Sequence, residues 1–442
     1  MNKSLKKRLI VCFVGVILTL CFHHFISNKI EFITYSNGNL RIQDYAYYII
    51  IAKAFWFDGF GNIYKLTFQQ QALSAYVGSH IYTVMPLGIS PIALVVWLPF
   101  AYVANFSMAL SYTLWVTFSL GILFTALWRV GRYVFQVKKL ELLPITLSFV
   151  TIFSVTMGIT LILGQTSPLA AGLLIHLIYF VHKTGNKLKS GIWVPILFII
   201  FLLAIKPTYL ALGLGLLIIY GMWLQTIYSV VIVIFVLICV TPILTTDWIL
   251  SYLHQLSTFS RKVVPDAYAW AFAPHTMNIF RSAFRNIIGD KFASLISTIV
   301  TCSVYMTVVG FSILAEIRGK SADMLSPLRG KSADMLSPLR VTKGQLFVVI
   351  IGSYLLFAPY AGGYEDILLL PIFVMVLLIG DTPNLINYKS LVLIVVLFLI
   401  LTLPLPKPFW LSWILKVLIL GYMLNFCRFP SKKEKRTAFD SN

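Results

Sequence analysis

Between Arg41 and Tyr64 the chain reads RIQDYAYYIIIAKAFWFDGFGNIY. This stretch follows the first apolar run and precedes all the others. It carries two acids, Asp44 and Asp58, in a chain of 442 residues with only 15 acids. Asp44, Tyr47, Tyr48, Ile51, Phe55 and Asp58 recur at helical spacing, so a helix would gather them on one aromatic face with an acid near each end. A helix of that kind is expected to lie in the headgroup region of a bilayer. The same spacing also fits a plain interfacial helix in which Asp44 only caps the N-terminus. A Gly-rich turn, Gly59-Phe60-Gly61, follows.

The rest of the composition sets the context. Hydrophobic residues make up 59% of the chain and charged residues 11%, with a mean hydropathy of +0.87. Soluble domains are about 25% charged. The expected fold class is therefore an all-α polytopic membrane protein. The formal net charge is +20, but the basic residues fall in short clusters beside apolar runs. Such clusters orient spans and contact anionic lipid headgroups, which argues for membrane lipid and against a nucleic-acid partner. Cys12, Cys21, Cys239, Cys302 and Cys427 lie in or beside apolar runs, with no CxxC pair. The sequence gives no sign of a disulfide framework or a metal site.

Alternating charge gives a topology of about twelve crossings with both termini cytoplasmic. The basic start MNKSLKKR precedes a first span at about 9–27, whose long apolar run fits a retained helix better than a cleaved signal peptide. A long outer loop, 28–85, follows and is expected to carry interfacial helices. The apolar run 89–104 is expected to be shallow or re-entrant, broken at Pro91 and Pro99, with 108–128 the true crossing. Further spans are expected at 144–163, 168–182, 191–205, 208–223, 226–245, 291–315, 344–358, 367–380, 390–403 and 409–427. Many are short for a hydrocarbon core of about 30 Å. A second outer loop covers 246–290. The cytoplasmic loop 316–343 holds RGKSADMLSPL twice in succession, from Arg318 to Leu339. Two copies are too few for a solenoid, and Gly, Ser and Pro in each favour a loop. Residues 1–430 read as a single transmembrane domain and 431–442 as a basic cytoplasmic tail. A bacterial inner membrane is the expected location, because the tail carries no retention signal.

Several outward-facing stretches accompany Asp44. One is the turn Gly164-Gln165-Thr166-Ser167-Pro168. Another is Lys206-Pro207, between two apolar runs, where a lysine either snorkels to the interface or binds an anion. A third is loop 246–290, with Asp247, His254, Asp266, His275 and the i,i+4 pair Arg281 and Arg285; a guanidinium pair suits a phosphate. A fourth is Tyr360–Asp366, where Glu365 and Asp366 open a span. Walker A, HExxH, GxSxG and Rossmann patterns are absent. No cytoplasmic stretch is large enough to bind a nucleotide, so any activated donor is expected to arrive within the membrane.

Taken in order, these stretches resemble the GT-C glycosyltransferases, most closely glycosyltransferase family 87, which includes polyprenyl-phosphate-mannose-dependent α-mannosyltransferases. The resemblance runs over about residues 40–370. It rests on Asp44-Tyr45 through Gly61-Asn62-Ile63-Tyr64, then Tyr82 to Pro86 with Pro91 and Pro99. It continues through Gly164-Gln165-Thr166-Ser167, Ile205-Lys206-Pro207, Asn278-Ile279-Phe280-Arg281 and Ala358-Pro359 through Tyr364-Glu365-Asp366. Two segments depart from the family pattern: Met85-Pro86 replaces Tyr-Pro-Pro, and Thr-Ser follows Gly-Gln. The resemblance implies inverting transfer of a mannose-type hexose from a polyprenyl-phosphate sugar to a glycan or glycolipid hydroxyl, with no cofactor or metal. It implies Asp44 as general base and Lys206, Arg281, Arg285 and His275 at the donor phosphate. Tyr48, Tyr64, Gln165, Tyr364 and Asp366 would contact substrate, and Asp58 falls back to a structural role. Two other readings stay open: a transporter or flippase of a lipid-linked or small solute, and a protein like the O-antigen polymerases, whose basic residues gather in one late outer loop.

Overall fold

A hairpin opens the described chain. Strands β1 (Ile33–Ser36) and β2 (Asn39–Ile42) pair antiparallel, with Ile33 opposite Ile42 and Ser36 opposite Asn39. Asn37 and Gly38 separate them, and Asn-Gly between two such runs is the strongest short hairpin signal a sequence carries. This hairpin is a small addition to an otherwise helical chain, in keeping with the expected all-α class. The computed structural model describes residues 32–36, 39–59, 61–78, 89–138, 164–184, 193–262, 343–357, 363–379 and 409–426, with isolated positions at 24, 87 and 160 and scattered helical ones between 287 and 314. Apart from the hairpin, its regular elements are helical.

Helix α1 (Asp44–Phe57) follows directly. Gln43 is the extended N-cap residue, and Asp44 is the first helical residue. An acid in the first turn favours the helix dipole. The Asp58 N–H closes the last turn on the Ala54 carbonyl, and Gly59 then takes a positive φ of 129°. The expected interfacial placement of this helix is corrected: Tyr45, Ala46, Tyr47, Ile49, Ile50, Ile51, Ala52, Ala54 and Phe55 are all buried. The residues between the spaced aromatics are themselves apolar, so the helix is hydrophobic nearly all round, and such a helix belongs in a core.

Helix α2 (Leu66–Val77) lies against α1. Helix α3 (Ala93–Ala104) packs on α1 and on α4 (Met108–Lys138). The expected break at Pro99 is absent: α3 runs through it. Proline removes one internal hydrogen bond there, and packing holds the helix, with Trp97 4.3 Å from Trp115 of α4 between ring centroids. Twelve residues of α-helix extend about 18 Å, and the long element of this pair is α4.

Helix α5 (Ser167–Thr184) is the hub. It packs against α4, α6 (Trp193–Ile205), α7 (Pro207–Ile219), α11 (Leu369–Ile379) and the 3₁₀ helix Gly363–Leu368. From Ser167 to Ile178 every residue is buried. A Cβ on Gly172 would come within 2.8 Å of the Leu123 backbone, so the closest approach of α4 and α5 depends on the missing side chain. Helix α8 (Trp223–Leu244) leads to α9 (Trp248–Lys262), which replaces the start of the expected loop 246–290. Helices α10 (Lys343–Phe357), α11 and α12 (Phe409–Phe426) form a last group, with α10 also against α7.

Two stretches among the described residues are long and apolar enough to cross a bilayer: Met108–Tyr133 of α4 and Trp223–Leu244. In α8 most of the side chains face outward, among them Leu224, Ile227, Val231, Phe235 and Ile238. The expected spans at 168–182, 191–205, 208–223, 226–245, 344–358, 367–380 and 409–427 each coincide with a helix. Those at 9–27 and 390–403, nearly all of 144–163, most of 291–315, the repeat and the basic tail lie outside the described residues.

Candidate active site

The residue after Asp44 fixes where the carboxylate sits. The Tyr45 ring is enclosed by Trp97, Tyr112 and Trp115, with ring centroids 5.6, 4.7 and 6.2 Å away. Its hydroxyl pairs with Ser111 Oγ at 2.6 Å, and Ser111 Oγ lies 2.7 Å from the Phe100 carbonyl. Aromatic packing of this density immobilises a side chain. The N-terminus of α1 is therefore locked against α3 and α4, with Asp44 one residue outside the lock.

The Gly-Gln-Thr-Ser turn arrives from the other side. Gly164 has a φ of +70°, and a Cβ there would lie 2.5 Å from Tyr45 Cβ. Only glycine satisfies both the left-handed backbone and the contact. Gln165, buried at the entry to α5, donates its Nε2 hydrogen bond to Asp44 Oδ2. Thr166 and Ser167 are buried beside it.

Lys206 supplies the charge. It is the extended N-cap residue between α6 and α7, where Pro207 starts the next helix, and proline at that first position fits the fixed φ. Its Nζ stands 5.6 Å from the Tyr209 ring centroid. Asp44 keeps some exposed surface, yet the surrounding protein desolvates its carboxylate. Desolvation raises the pKa from 3.8 to about 6; the Lys206 charge and the Gln165 hydrogen bond act in the opposite sense and are smaller. A carboxylate at that value is mostly ionised at neutral pH and still basic enough to take a proton, as a general base requires.

Three expected site residues, Asp44, Gln165 and Lys206, thus converge from stretches far apart in the chain. Tyr48 lies one turn along α1 from Asp44, half-buried against Trp97. Two others are corrected. Tyr64 is fully enclosed: its hydroxyl donates to the Ile89 carbonyl at 2.8 Å and its ring meets Trp248 and Tyr252, so it is not open to a substrate. Asp366 is committed to Lys416 of α12 at 2.7 Å, with the side chains 7% and 0% exposed. A charge buried without a partner is very costly, so this pairing fixes Asp366 as a structural group. Tyr364 falls in the 3₁₀ helix, while His275, Arg281 and Arg285 lie outside the described residues.

The sequence reading also missed the joint between the two outer stretches. Asn62 Nδ2 donates to Asp247 Oδ1 and Ser251 Oγ at 3.2 and 3.1 Å, and Lys65 pairs with Asp247 at 2.9 Å. Gln255 Nε2 donates to the Tyr64 carbonyl, and its Oε1 accepts from the Leu87 N–H at 2.8 Å. Residues 62–65 and Leu87 therefore rest on α9 and on Asp247 just before it. Asp44, Gln165 and Lys206 provide a base, an amide donor and a cation. No group of three or more His, Cys, Asp or Glu side chains among the described residues is placed to hold a metal ion. Comparison with protein-family models, curated proteins and solved structures finds no match for the chain.

Proposed function

We propose that the chain is a membrane-embedded glycosyltransferase of the GT-C kind, similar to glycosyltransferase family 87. It moves a mannose-type hexose from a polyprenyl-phosphate sugar to an acceptor hydroxyl on the outer face of a bacterial inner membrane. The chain crosses the bilayer about twelve times in this reading. The apolar outward face of α8 and the series of apolar helices on the expected spans support the embedding. The observation that carries the chemistry is the meeting of Asp44, Gln165 and Lys206. These are the residues that the resemblance assigns to base, substrate contact and phosphate.

The transfer is a single inverting displacement. The acceptor oxygen bonds to the anomeric carbon as the bond from that carbon to the phosphate oxygen breaks. The Asp44 carboxylate takes the acceptor proton and later returns it to water. Polyprenyl phosphate leaves with both electrons of the broken bond, and its growing charge is stabilised by the Lys206 ammonium. Gln165 fixes the orientation of the carboxylate, so the lone pair that takes the proton is already aimed. A desolvated acid of this kind works against folding at neutral pH, and perturbed acids of this kind gather at functional sites.

The test uses purified full-length protein with a panel of polyprenyl-phosphate sugars, reading release of polyprenyl phosphate. Asp44→Asn is expected to lower turnover by on the order of 10²–10⁴-fold, while thermal stability at pH 7 stays level or rises. Full turnover by Asp44→Asn removes Asp44 as the base. The alternative is a transporter or flippase of a lipid-linked or small solute. Counterflow of a labelled solute with no transfer product would replace the transferase with that reading.

A further inference from the structure

Far from Asp44 along α4 lies a second polar site that the transfer chemistry does not use. Arg129 and Arg132 of α4 and Lys183 of α5 are exposed. None of the three has an acidic partner among the described residues. Arg129 and Lys183 nevertheless converge: the guanidinium carbon stands 5.8 Å and the ammonium 6.0 Å from the Tyr179 ring centroid. Tyr133 meets that ring edge-on at 5.8 Å.

The cluster is built, not incidental. Arg129 Nη1 lies 3.5 Å from His176 Nδ1. With Nδ1 accepting, His176 Nε2 carries the hydrogen and donates to Thr125 Oγ1 at 3.2 Å. The Thr125 hydroxyl in turn donates to the Ile122 carbonyl at 2.9 Å. The His176 ring stacks on Phe198 of α6 at 5.8 Å. Three helices thus hold one arginine in place, and its remaining N–H groups are left for an anion.

The anion comes with a tail. An exposed stripe of α4 runs from Phe118 past Gly121 and Thr125 to Trp128, which is 66% exposed, beside Arg129. From Phe118 to Arg129 an α-helix rises about 16 Å, close to half of the roughly 30 Å of a bilayer's hydrocarbon core, the depth of one leaflet. An apolar stripe, then an interfacial tryptophan, then cations is the profile of a lipid from acyl chain to headgroup. A free phosphate would leave the stripe and Trp128 without a role.

We propose that α4 and α5 bind an anionic diacyl phospholipid, its phosphodiester held by Arg129 and Lys183 and its acyl chains laid along the exposed stripe of α4. The site would lie at the leaflet on the side of the basic N-terminus. It rests on the membrane embedding of the proposed function, not on the transfer chemistry.

The experiment places the full chain in nanodiscs of phosphatidylcholine, with or without phosphatidylglycerol, and counts retained lipids by native mass spectrometry. Wild type is expected to keep phosphatidylglycerol in preference to phosphatidylcholine. The preference should fall several-fold in Arg129→Gln/Lys183→Gln. Equal retention of the two lipids, or an unchanged preference in the variant, overturns the proposal. Failure to enter either disc overturns the embedding itself. Should the double variant not fold, the Trp128 signal decides: wild-type fluorescence minus that of Trp128→Phe should be quenched more by brominated phosphatidylglycerol than by brominated phosphatidylcholine, and equal quenching overturns the site. If inorganic phosphate stabilises the detergent-solubilised protein as much as phosphatidylglycerol does, the ligand is not a lipid and the proposal fails.

Discussion

Asp44 and Asp366 each face a lysine from another helix, and the fold treats them in opposite ways. Asp366 touches Lys416 at 2.7 Å, and both side chains are closed off. Asp44 feels Lys206 as a charge, while its hydrogen bond comes from the neutral amide of Gln165. In the closed pair each charge meets its counter-charge at contact. At Asp44 the compensation is incomplete, and the carboxylate stays basic. The first break of this comparison is Lys416→Met. It leaves Asp366 buried alone and should cost about 3–5 kcal/mol, read as a fall in the thermal unfolding midpoint in detergent. Asp366→Leu/Lys416→Met removes both charges and should recover most of the loss. If Lys416→Met is as stable as wild type, the pair is not closed.

Gly164 tests the open site through its packing. Gly164→Ala drives a Cβ to 2.5 Å from Tyr45 Cβ at a φ of +70°. Overpacking of this kind costs about 1–3 kcal/mol. Because the strain falls between Tyr45 and Gln165, turnover should drop more than stability does. Gly121→Ala, where a Cβ meets nothing within 4 Å inside α4, is the control: turnover should stay level and stability should stay level or rise. Equal loss of stability and turnover in Gly164→Ala would make the turn a structural element only.

The convergence at Asp44 was legible from the order of the motifs, because Gln165 and Lys206 each sit at a helix entry that the sequence marks with Gly-Gln or Lys-Pro. The series of apolar helices was legible from hydropathy for the same local reason. What escaped the reading depends on partners distant in sequence. Lys416 stands in the middle of the expected span 409–427, where a lysine calls for a partner, but that partner, Asp366, is far away in sequence. Tyr64 looks like a ligand-contacting aromatic until Gln255 and Ile89 enclose it. The helix from Asp44 to Phe57 reads as interfacial when only every third or fourth position is counted, but the residues between are as apolar. The hairpin has a local signal in the sequence, Asn37-Gly38 between two short apolar runs.

A smaller effect sharpens the electrostatics at Asp44. Turnover is expected to rise with pH through about 6, as the carboxylate loses its proton. Lys206 and Gln165 both favour the ionised form, with Lys206 the stronger, so removing either should move the midpoint upward. Lys206→Met should move it further than Gln165→Leu, a difference measured from initial rates between pH 5 and 8. A midpoint unmoved in both variants would mean that another group controls the profile.

The smallest effect belongs to a third acid–lysine pair, Asp247 and Lys65, at 2.9 Å with side chains about half exposed. Hydrogen bonds from Thr245 first, then from Lys65, hold the Asp247 pKa down at about 2, below its ordinary 3.8. A depressed carboxylate pKa gives stability that is complete above about pH 4 and is lost as pH falls toward 2. At pH 7 an exposed pair is screened by water and salt, so it contributes little. Asp247→Asn should therefore leave the unfolding midpoint nearly unchanged at high salt and lower it slightly at low salt. The same substitution logic at Asp366 should give a large, salt-insensitive loss, because water and ions do not reach that pair. An Asp247→Asn loss as large as that of Lys416→Met would show that the joint between residues 62–65 and α9, and not the buried pair, holds the helices in register.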